Sequence, residues 1–346
     1  MSAADDRHRA VEGYATSVTG RVLRLWGQVD SSEIRASWAE LSAEAFALVS
    51  VGQMAAAAGA DAYMDAAWTE SHPVAPVSLG RVQPRSLAGV ASDGRNLLTL
   101  LQQPAINALT QIGRGATPAQ ALAASGNSLA VITGTQVADA GRAAESVALT
   151  ARPRISGYIR VLSTPSCSRC AILAGKWFRY NSGFRRHPRC DCVHAPADEP
   201  TGPLTAPWDY FNSLPKAQQD RYFGKADAEA IRDGKDLIRL VNQRTRRQVV
   251  KVRTATDGRP TGKPFTVADA AAHARMQDAW KRAADAARSG DAAAAEQFRA
   301  EARALADSAY GRTTRTGPQV MPEQVIAAAS SRAEAIEGLH ALGYVA

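Results

Sequence analysis

The chain has 346 residues, of which 45% are hydrophobic and only 6% aromatic, and its formal net charge is +8. This length and hydrophobic content exclude wholesale disorder and suffice for two or three domains, while abundant alanine and few aromatics favour packed helices over a β-sandwich. The excess of basic residues is typical of a surface that contacts nucleic acid or an acidic protein, but it does not determine a fold.

The sequence predicts neither a secretory signal nor a membrane span. No basic segment followed by an apolar one occurs in the first residues. The most apolar stretch, residues 45–67, contains Gln53, Asp61 and Asp65, and therefore predicts a buried helix. We expect folding in a reducing cytoplasm, where clustered thiols favour metal ligation over disulfides.

The first 150 residues predict helices. Apolar residues recur at helical spacing over 34–68 and over 97–109, and Pro104 predicts a break in the second stretch. Thr117-Pro118 is typical of a helix start and predicts a short helix that ends near Gly126. A further helix is then expected to run towards residue 150.

The pattern changes at Pro153. Residues 157–163 alternate as a β-strand does, and residues 176–180 are a second short strand candidate. After a linker that contains proline and glycine, residues 227–242 are again typical of a helix.

The last part of the chain also predicts helices. Segments 267–288 and 291–308 predict an αα-hairpin, with Asp291 as the N-cap, and a final helical pair follows from Met321. The predicted fold class is mainly α, with one small α+β module. We expect four regions: a helical domain (1–152), a cysteine- and histidine-rich module (153–197), a linker with a basic helical or strand segment (198–265) and a C-terminal helical region (266–346).

All four cysteines lie within 26 residues. Cys167 and Cys170 form a C-x-x-C pair, which places two sulfurs on one tight turn, and a second pair completes a tetrahedron. Zinc suits a ligand set of sulfur and imidazole. Because the set is rich in sulfur, we predict one closed, structural zinc rather than a catalytic one.

The candidate zinc ligands outnumber the four that are needed. We expect the four cysteines to bind the metal: Cys167, Cys170, Cys190 and Cys192. His187 is the main competitor for one position, and His194 is the third choice. Four buried thiols, or one disulfide, are the alternative without a metal.

Two histidines leave catalysis as an alternative. A zinc-stapled nuclease of the HNH type, or another nucleic-acid-processing enzyme, combines cysteine knuckles with a histidine that activates water. His187 and His194 are candidates, but Asp191 is the only acidic residue in residues 151–195, so we predict no enzymatic activity. A host-encoded DNA-binding regulator is a third alternative, which the lack of a clear helix-turn-helix pattern disfavours.

The basic charge is concentrated around the cysteines. Residues 151–195 hold nine lysines and arginines against one aspartate, an excess equal to that of the whole chain. Three arginines among the proposed ligands, Arg185, Arg186 and Arg189, predict sequence-independent contact with DNA phosphates. Alternatively, the arginines neutralise the thiolates and the interleaved aromatics form a small core. A second basic run, 244–253, is either a solvated edge or a further contact with DNA or an acidic partner.

The order C-x-x-C, G-K-x-F, H-P-x-C-x-C over residues 167–192 resembles the MuF-like minor head proteins of tailed bacteriophages, in the versions found in phages of actinobacteria. Shorter segments outside the cysteines are similar too, in the same order along the chain: S-W-x-x-L at 37–41, A-I-R-D-G-K-D at 230–236, V-N at 241–242, M-P-E-Q-V at 321–325, E-A-I at 334–336 and L-G-Y at 342–344. The resemblance implies a few copies inside the head, bound to the portal and to capsid or scaffold proteins. It implies help with head assembly and DNA delivery, and residence in the host cytoplasm during assembly.

Overall fold

The computed structural model describes most of the chain. The described residues are 2–162, 166–183, 192–198, 207–243, 278–279, 282, 286, 289, 291–298, 300–301 and 319–346. The predicted fold class is confirmed, because the described part is mainly α-helical with one small antiparallel sheet. The basic run 244–253 and most of the predicted hairpin lie outside these residues. Within the hairpin, Asp291 accepts the N–H of Ala294 at 2.9 Å, as its predicted role as an N-cap requires.

Six helices form the region that we call the helical body: α1 (Ala3–Trp26), α2 (Ile34–Ala58), α3 (Ala60–Thr69), α4 (Leu97–Leu101), α5 (Gln103–Ile112) and α6 (Pro118–Thr150). Helices α2 and α3 meet at Gly59, so the predicted helical stretch 34–68 is present with one joint. Pro104 lies in the first turn of α5, where its missing N–H leaves no helical hydrogen bond unmade. The predicted break at Pro104 is therefore confirmed.

Helix α6 begins as predicted but does not end as predicted. The Thr117 side chain accepts the N–H of Gln120, and the Gln120 side chain accepts the N–H of Thr117. The helix then passes Gly126 and ends only at Thr150, so that it has 33 residues in all and is about 50 Å long at 1.5 Å per residue. A Cβ on Gly126 would lie 3.0 Å from the Trp26 ring. This glycine permits close packing of α6 on α1 and does not end a helix, so the predicted short helix was wrong.

A core between α1, α2, α5 and α6 holds the helical body together. Trp38 is fully buried, and its indole N–H donates to the carbonyl of Leu101 at 2.8 Å. The ring of Trp26 packs edge-on against it, with 4.9 Å between centroids. At Gly52, a Cβ would lie 2.7 Å from a methyl group of Val18, so the helices approach each other closely there.

The stretch 34–69, formed by α2 and α3, is long and apolar enough to cross a membrane by length and composition alone. Half of its most apolar window is buried inside the protein. Trp38, Val49 and Met64 are fully buried among the other helices. A core helix has these same properties, so the stretch carries no membrane assignment.

A three-stranded sheet follows the helical body. Strand β1 (Gly157–Val161) lies between β2 (Trp177–Arg179) and β3 (Val193–Ala197), and both neighbours are antiparallel to it. The first two strands confirm the prediction. Strand β3 was not predicted, because its five residues contain Pro196 and show no clear alternation. It forms through pairing with β1, from Gly157 opposite Ala197 to Val161 opposite Val193.

Three short helices and a further helical segment form a separate apolar cluster: α8 (Pro207–Ser213), α9 (Lys216–Phe223), α10 (Lys225–Arg232) and residues 237–243. Phe211 and Phe223 pack edge to face inside it, with 4.9 Å between centroids. The predicted helix 227–242 is interrupted at Gly234, whose φ of +88° ends a helix readily.

The C-terminal segment returns to the helical body. Helices α11 (Pro322–Ala328) and α12 (Arg332–Ala341) confirm the predicted final pair. The backbone of Val345 pairs with that of Val82, while Tyr344 and Ile326 join one apolar cluster with Trp68 of α3 and with residues of α6. This cluster contains residues of three of the predicted regions, and the division of the chain into domains stays a prediction.

Arg332 of α12 ties this segment to the start of the sheet. Its guanidinium donates to the carbonyls of Arg152 and Ile155, at 2.7 and 2.6 Å, and lies 3.9 Å from the centre of the Tyr180 ring. The connection between α6 and β1 is thus covered by residues almost 180 positions later in the sequence.

Candidate metal centre

Cys167 and Cys170 lie on the turn that connects β1 to β2. Cys167 precedes the single turn of helix α7 (Ser168–Ala171), and its Sγ accepts the backbone N–H of Cys170 at 3.4 Å. Gly175 follows with a φ of +68°, a conformation that favours glycine, and donates its N–H to the carbonyl of Arg160 at 2.9 Å. The predicted C-x-x-C turn is therefore held against β1 by its own backbone.

Pairing between β1 and β3 brings the third described cysteine to this turn. Cys192 immediately precedes β3, whose first residue, Val193, lies opposite Val161. Cys170 and Cys192 are fully buried and form one small cluster, against which Cys167 and Leu162 pack. No disulfide joins the three described cysteines to one another. Three of the predicted ligands are thus brought together from two separate segments.

The other predicted site residues lie outside the described part of the chain: His187, Cys190, Arg185, Arg186 and Arg189. Among the described residues, no three histidine, cysteine or acidic side chains are arranged so as to hold a metal ion. The zinc site and its exact ligands therefore stay a prediction. The donors that do meet are sulfurs shielded from solvent, and their chemistry fits zinc.

Arg160 contacts the cysteine cluster from the middle strand of the sheet. Its side chain is almost completely buried, and Nη2 donates to Sγ of Cys170 at 3.2 Å. Its backbone N–H donates to the carbonyl of Lys176, so both ends of the residue hold the cysteine turn. Nothing in the sequence pattern alone distinguishes this residue from the other basic residues around the cysteines, except that it lies two positions from Tyr158 on one face of a short strand.

His194, the third-choice ligand, is fixed by the helical body. Its ring packs against Tyr158 with 4.4 Å between centroids, and its Nδ1 lies 3.8 Å from Oε2 of Glu145. Its carbonyl accepts the hydroxyl of Tyr63 at 3.0 Å. Burial raises the pKa of Tyr63 well above its ordinary value, and the nearby Glu145 carboxylate acts in the same direction.

Glu145 of α6 connects three elements. Its Oε1 accepts Nε of Arg7 at 2.8 Å, and its Oε2 accepts the backbone N–H of His194 at 3.3 Å. Arg7 also donates to the carbonyl of Ala56 at 2.7 Å. Because Arg7 and Glu145 are both almost completely buried, this ion pair joins α1, α6 and β3 in a place that water barely reaches.

Part of the positive charge around the cysteines is committed to the fold. Arg152 is buried and forms ion pairs with Asp61 and Asp65 of α3, at 2.9 and 2.8 Å. Arg160 is the second buried arginine of this region. Of the six of these nine basic residues that the structure describes, two therefore do not face solvent, which leaves less charge for nucleic acid than the sequence count indicates.

A cavity of about 480 Å³ lies between α6, the sheet and α11. Its walls include Asp139, Tyr158, His194 and Glu323, and most of its other lining side chains are also polar. The lining carboxylates make it a poor place for a phosphate group. The cavity does not extend the predicted DNA contact.

The sequence matches the VG15 protein family over residues 1–208, a match that covers the helical body, the sheet and the described cysteines. The chain belongs to the VG15 protein family. This is a phage-associated family, so the chain is a phage protein. No curated protein and no solved structure matches the chain.

In this VG15 protein, the family match spans both the helical body and the described cysteines. It ends inside α8, soon after the sheet. The arrangement of buried sulfurs, Arg160 and the Arg7–Glu145 pair lies entirely within it.

Proposed function

We propose that the chain is a non-enzymatic minor head protein of a tailed phage, of the MuF-like kind, bound to the portal inside the head. The observation that carries the proposal is the VG15 family match, which includes both the helical body and the cysteine cluster. The order of cysteine, glycine and histidine residues that resembles MuF-like proteins falls within the matched residues. In this proposal the chain assists head assembly and the packaging or delivery of DNA, with portal, capsid and scaffold proteins as partners.

The proposed role of the metal is structural. Cys167, Cys170 and Cys192, together with Cys190 or His187, would hold one zinc ion per chain. Zinc with a sulfur-rich set of ligands supplies a cross-link between segments and leaves no position open for water. The two fully buried sulfurs support this role, because a catalytic metal needs access to a substrate.

Quantitative mass spectrometry of purified virions tests the main proposal. We expect a few copies of the chain per head, retained when tails are removed and recovered with the portal on disassembly. Phage that lack the gene should assemble heads poorly or package less DNA. A chain that is abundant in infected cells and absent from heads would contradict the proposal.

A nuclease assay separates this function from the enzymatic alternative. The purified chain should not cleave DNA in the presence of Zn²⁺, Mg²⁺ or Mn²⁺. Cleavage that disappears in His187→Ala or His194→Ala, with zinc retained, would replace the head-protein proposal with a zinc-stapled nuclease.

A further inference from the structure

A zinc ion bound by three or four thiolates carries a net charge of about −1 to −2, and placing that charge away from water is unfavourable unless a positive group lies beside it. Cys170 and Cys192 are fully buried. A site built on them therefore needs a countercharge from within the protein. This reasoning rests on the zinc site proposed above.

The described basic residues near the cysteines differ sharply in their surroundings. Arg154, Lys176 and Arg179 are exposed, and Arg169 is half-buried. Arg152 is buried, but Asp61 and Asp65 already neutralise it. Arg160 is the described guanidinium that is both buried and bonded to a cysteine sulfur, at 3.2 Å from Cys170.

We infer that Arg160 is the countercharge of the cysteine site and sets its affinity for the metal. It acts as a positioning residue, because it contacts a ligand sulfur and not the metal. Its place in the middle strand fixes it, since β1 is bonded to β2 on one side and to β3 on the other. A hydrogen bond from a charged donor lowers the energy of a thiolate and holds the sulfur in one orientation.

The side chain is better suited to this task than a lysine would be. A guanidinium presents several N–H donors in one plane and is less strongly hydrated than an ammonium group, so it is buried at lower cost. Arg160→Lys therefore keeps the charge and loses part of the geometry, whereas Arg160→Gln removes the charge. The two variants separate charge from shape.

Zinc affinity of the full chain, measured by competition with a chromophoric chelator, tests the inference. We expect Arg160→Gln to lower the affinity about tenfold to a hundredfold, the range found when groups around metal ligands are removed. The zinc affinity of Arg160→Lys should lie between that of Arg160→Gln and that of the parent chain. Arg179→Gln, a change of the same chemistry on an exposed strand position, should leave the affinity unchanged.

A double-mutant cycle keeps the test independent of folding defects. Cys170→His replaces the contacted thiolate by a neutral ligand. Arg160→Gln should therefore lower the zinc affinity clearly less in the Cys170→His background than in the parent chain. If Arg160→Gln does not fold, Arg160→Lys replaces it in the same cycle. Equal losses in both backgrounds would overturn the inference while the zinc proposal stands. A parent chain that binds no zinc would overturn both.

Discussion

The helical body and the cysteine cluster bury their interiors in different ways. The interior of the body consists of two extended apolar clusters. Large side chains such as Trp38, Leu101 and Leu129 are completely buried there. Among the described residues, the buried part of the cysteine cluster is Cys170 and Cys192, while the neighbouring Ala171 and Ile172 pack into the apolar cluster of α8 to α10. Apolar packing of the first kind supports a fold by itself, whereas two sulfurs do not. We therefore expect the body to fold by itself and the cysteine turn to depend on a ligand.

Both regions nevertheless rely on buried arginines. In the body, Arg7 is neutralised by Glu145, and Arg152 by Asp61 and Asp65. At the cysteine cluster, Arg160 donates to the sulfur of Cys170. The body thus supplies carboxylates for its buried arginines, and the cysteine cluster supplies a sulfur as an acceptor for Arg160.

Removal of zinc should have the largest effect and should be confined to one region. Binding free energy in small zinc modules is folding free energy, on the order of 10 kcal/mol at neutral pH. We expect Cys170→Ser to abolish zinc binding and unfold the cysteine turn, while far-UV circular dichroism retains most of the helical signal. Elemental analysis of the parent chain should find about one zinc per chain.

Ser168→Ala is the matched control for this prediction, because it changes the same turn and leaves every sulfur in place. It should retain zinc. Loss of the helical signal throughout Cys170→Ser would show that the body depends on the cysteine turn and would remove the contrast between the regions.

Glu145→Ala should have the next largest effect, and on the body. The change leaves the Arg7 guanidinium buried without its carboxylate, a situation that costs about 3–5 kcal/mol. It also removes the acceptor for the His194 N–H. Urea denaturation should report the loss in the free energy of unfolding.

Asp93→Ala serves as the comparison, since the pair between Asp93 and Arg95 is half-exposed. Exposed pairs contribute about 0–1 kcal/mol. Equal effects of the two changes would mean that Glu145 is not part of a tightly packed core.

Gly52→Ala tests how closely the helices of the body are packed. The added methyl group would lie 2.7 Å from Val18 and 3.0 Å from Val137, so it forces α1 and α6 away from α2. Overpacking of this kind costs about 1–3 kcal/mol. Thermal unfolding should show a lower midpoint.

Gly13→Ala is the opposite case, because nothing lies within 4 Å of a Cβ at that position in α1. Alanine has the higher helix propensity, so this variant should be more stable, by up to about 1 kcal/mol. A stabilising Gly52→Ala would show that the body has room to adjust.

DNA binding should show the smallest effect of the series, with no change in the fold. If Arg185, Arg186 and Arg189 contact about three phosphates, log K should fall against log salt with a slope of roughly −2.7. Replacing all three by alanine should flatten the slope and leave the zinc content unchanged. Replacing three exposed arginines of the body, Arg21, Arg24 and Arg35, should leave the slope as it is in the parent chain. An unchanged slope in the first variant would remove the DNA contact from this segment.

Features that depend on neighbouring residues were predictable from the sequence. Thr117 and Pro118 mark the start of α6, and alternating residues mark β1, because capping and strand patterns are local. The role of Gly126 was not predictable, since it depends on Trp26, a hundred residues earlier. Strand β3 was missed for the same reason: its partner is β1, and its own five residues carry little pattern.

The meeting of three cysteines was predictable from the sequence, whereas the residues around them were not. The spacing of Cys167, Cys170 and Cys192 indicated sulfurs that converge, and the structure brings these three together. The charge count, by contrast, treated all nine basic residues as equivalent. Burial decides which of them face solvent, and burial of Arg152 and Arg160 follows from tertiary contacts that composition does not contain.

The pairing of Val345 with Val82 has a consequence for the order of folding. These residues are about 260 positions apart, and the entropy of loop closure grows with the logarithm of that separation. Contacts of such long range form late. During synthesis, Trp68 and the facing side of α6 would wait uncovered until the ribosome has made α11 and α12. The apolar cluster around Trp68 is therefore complete only after α11 and α12 have been made, far later than the helices that hold most of it.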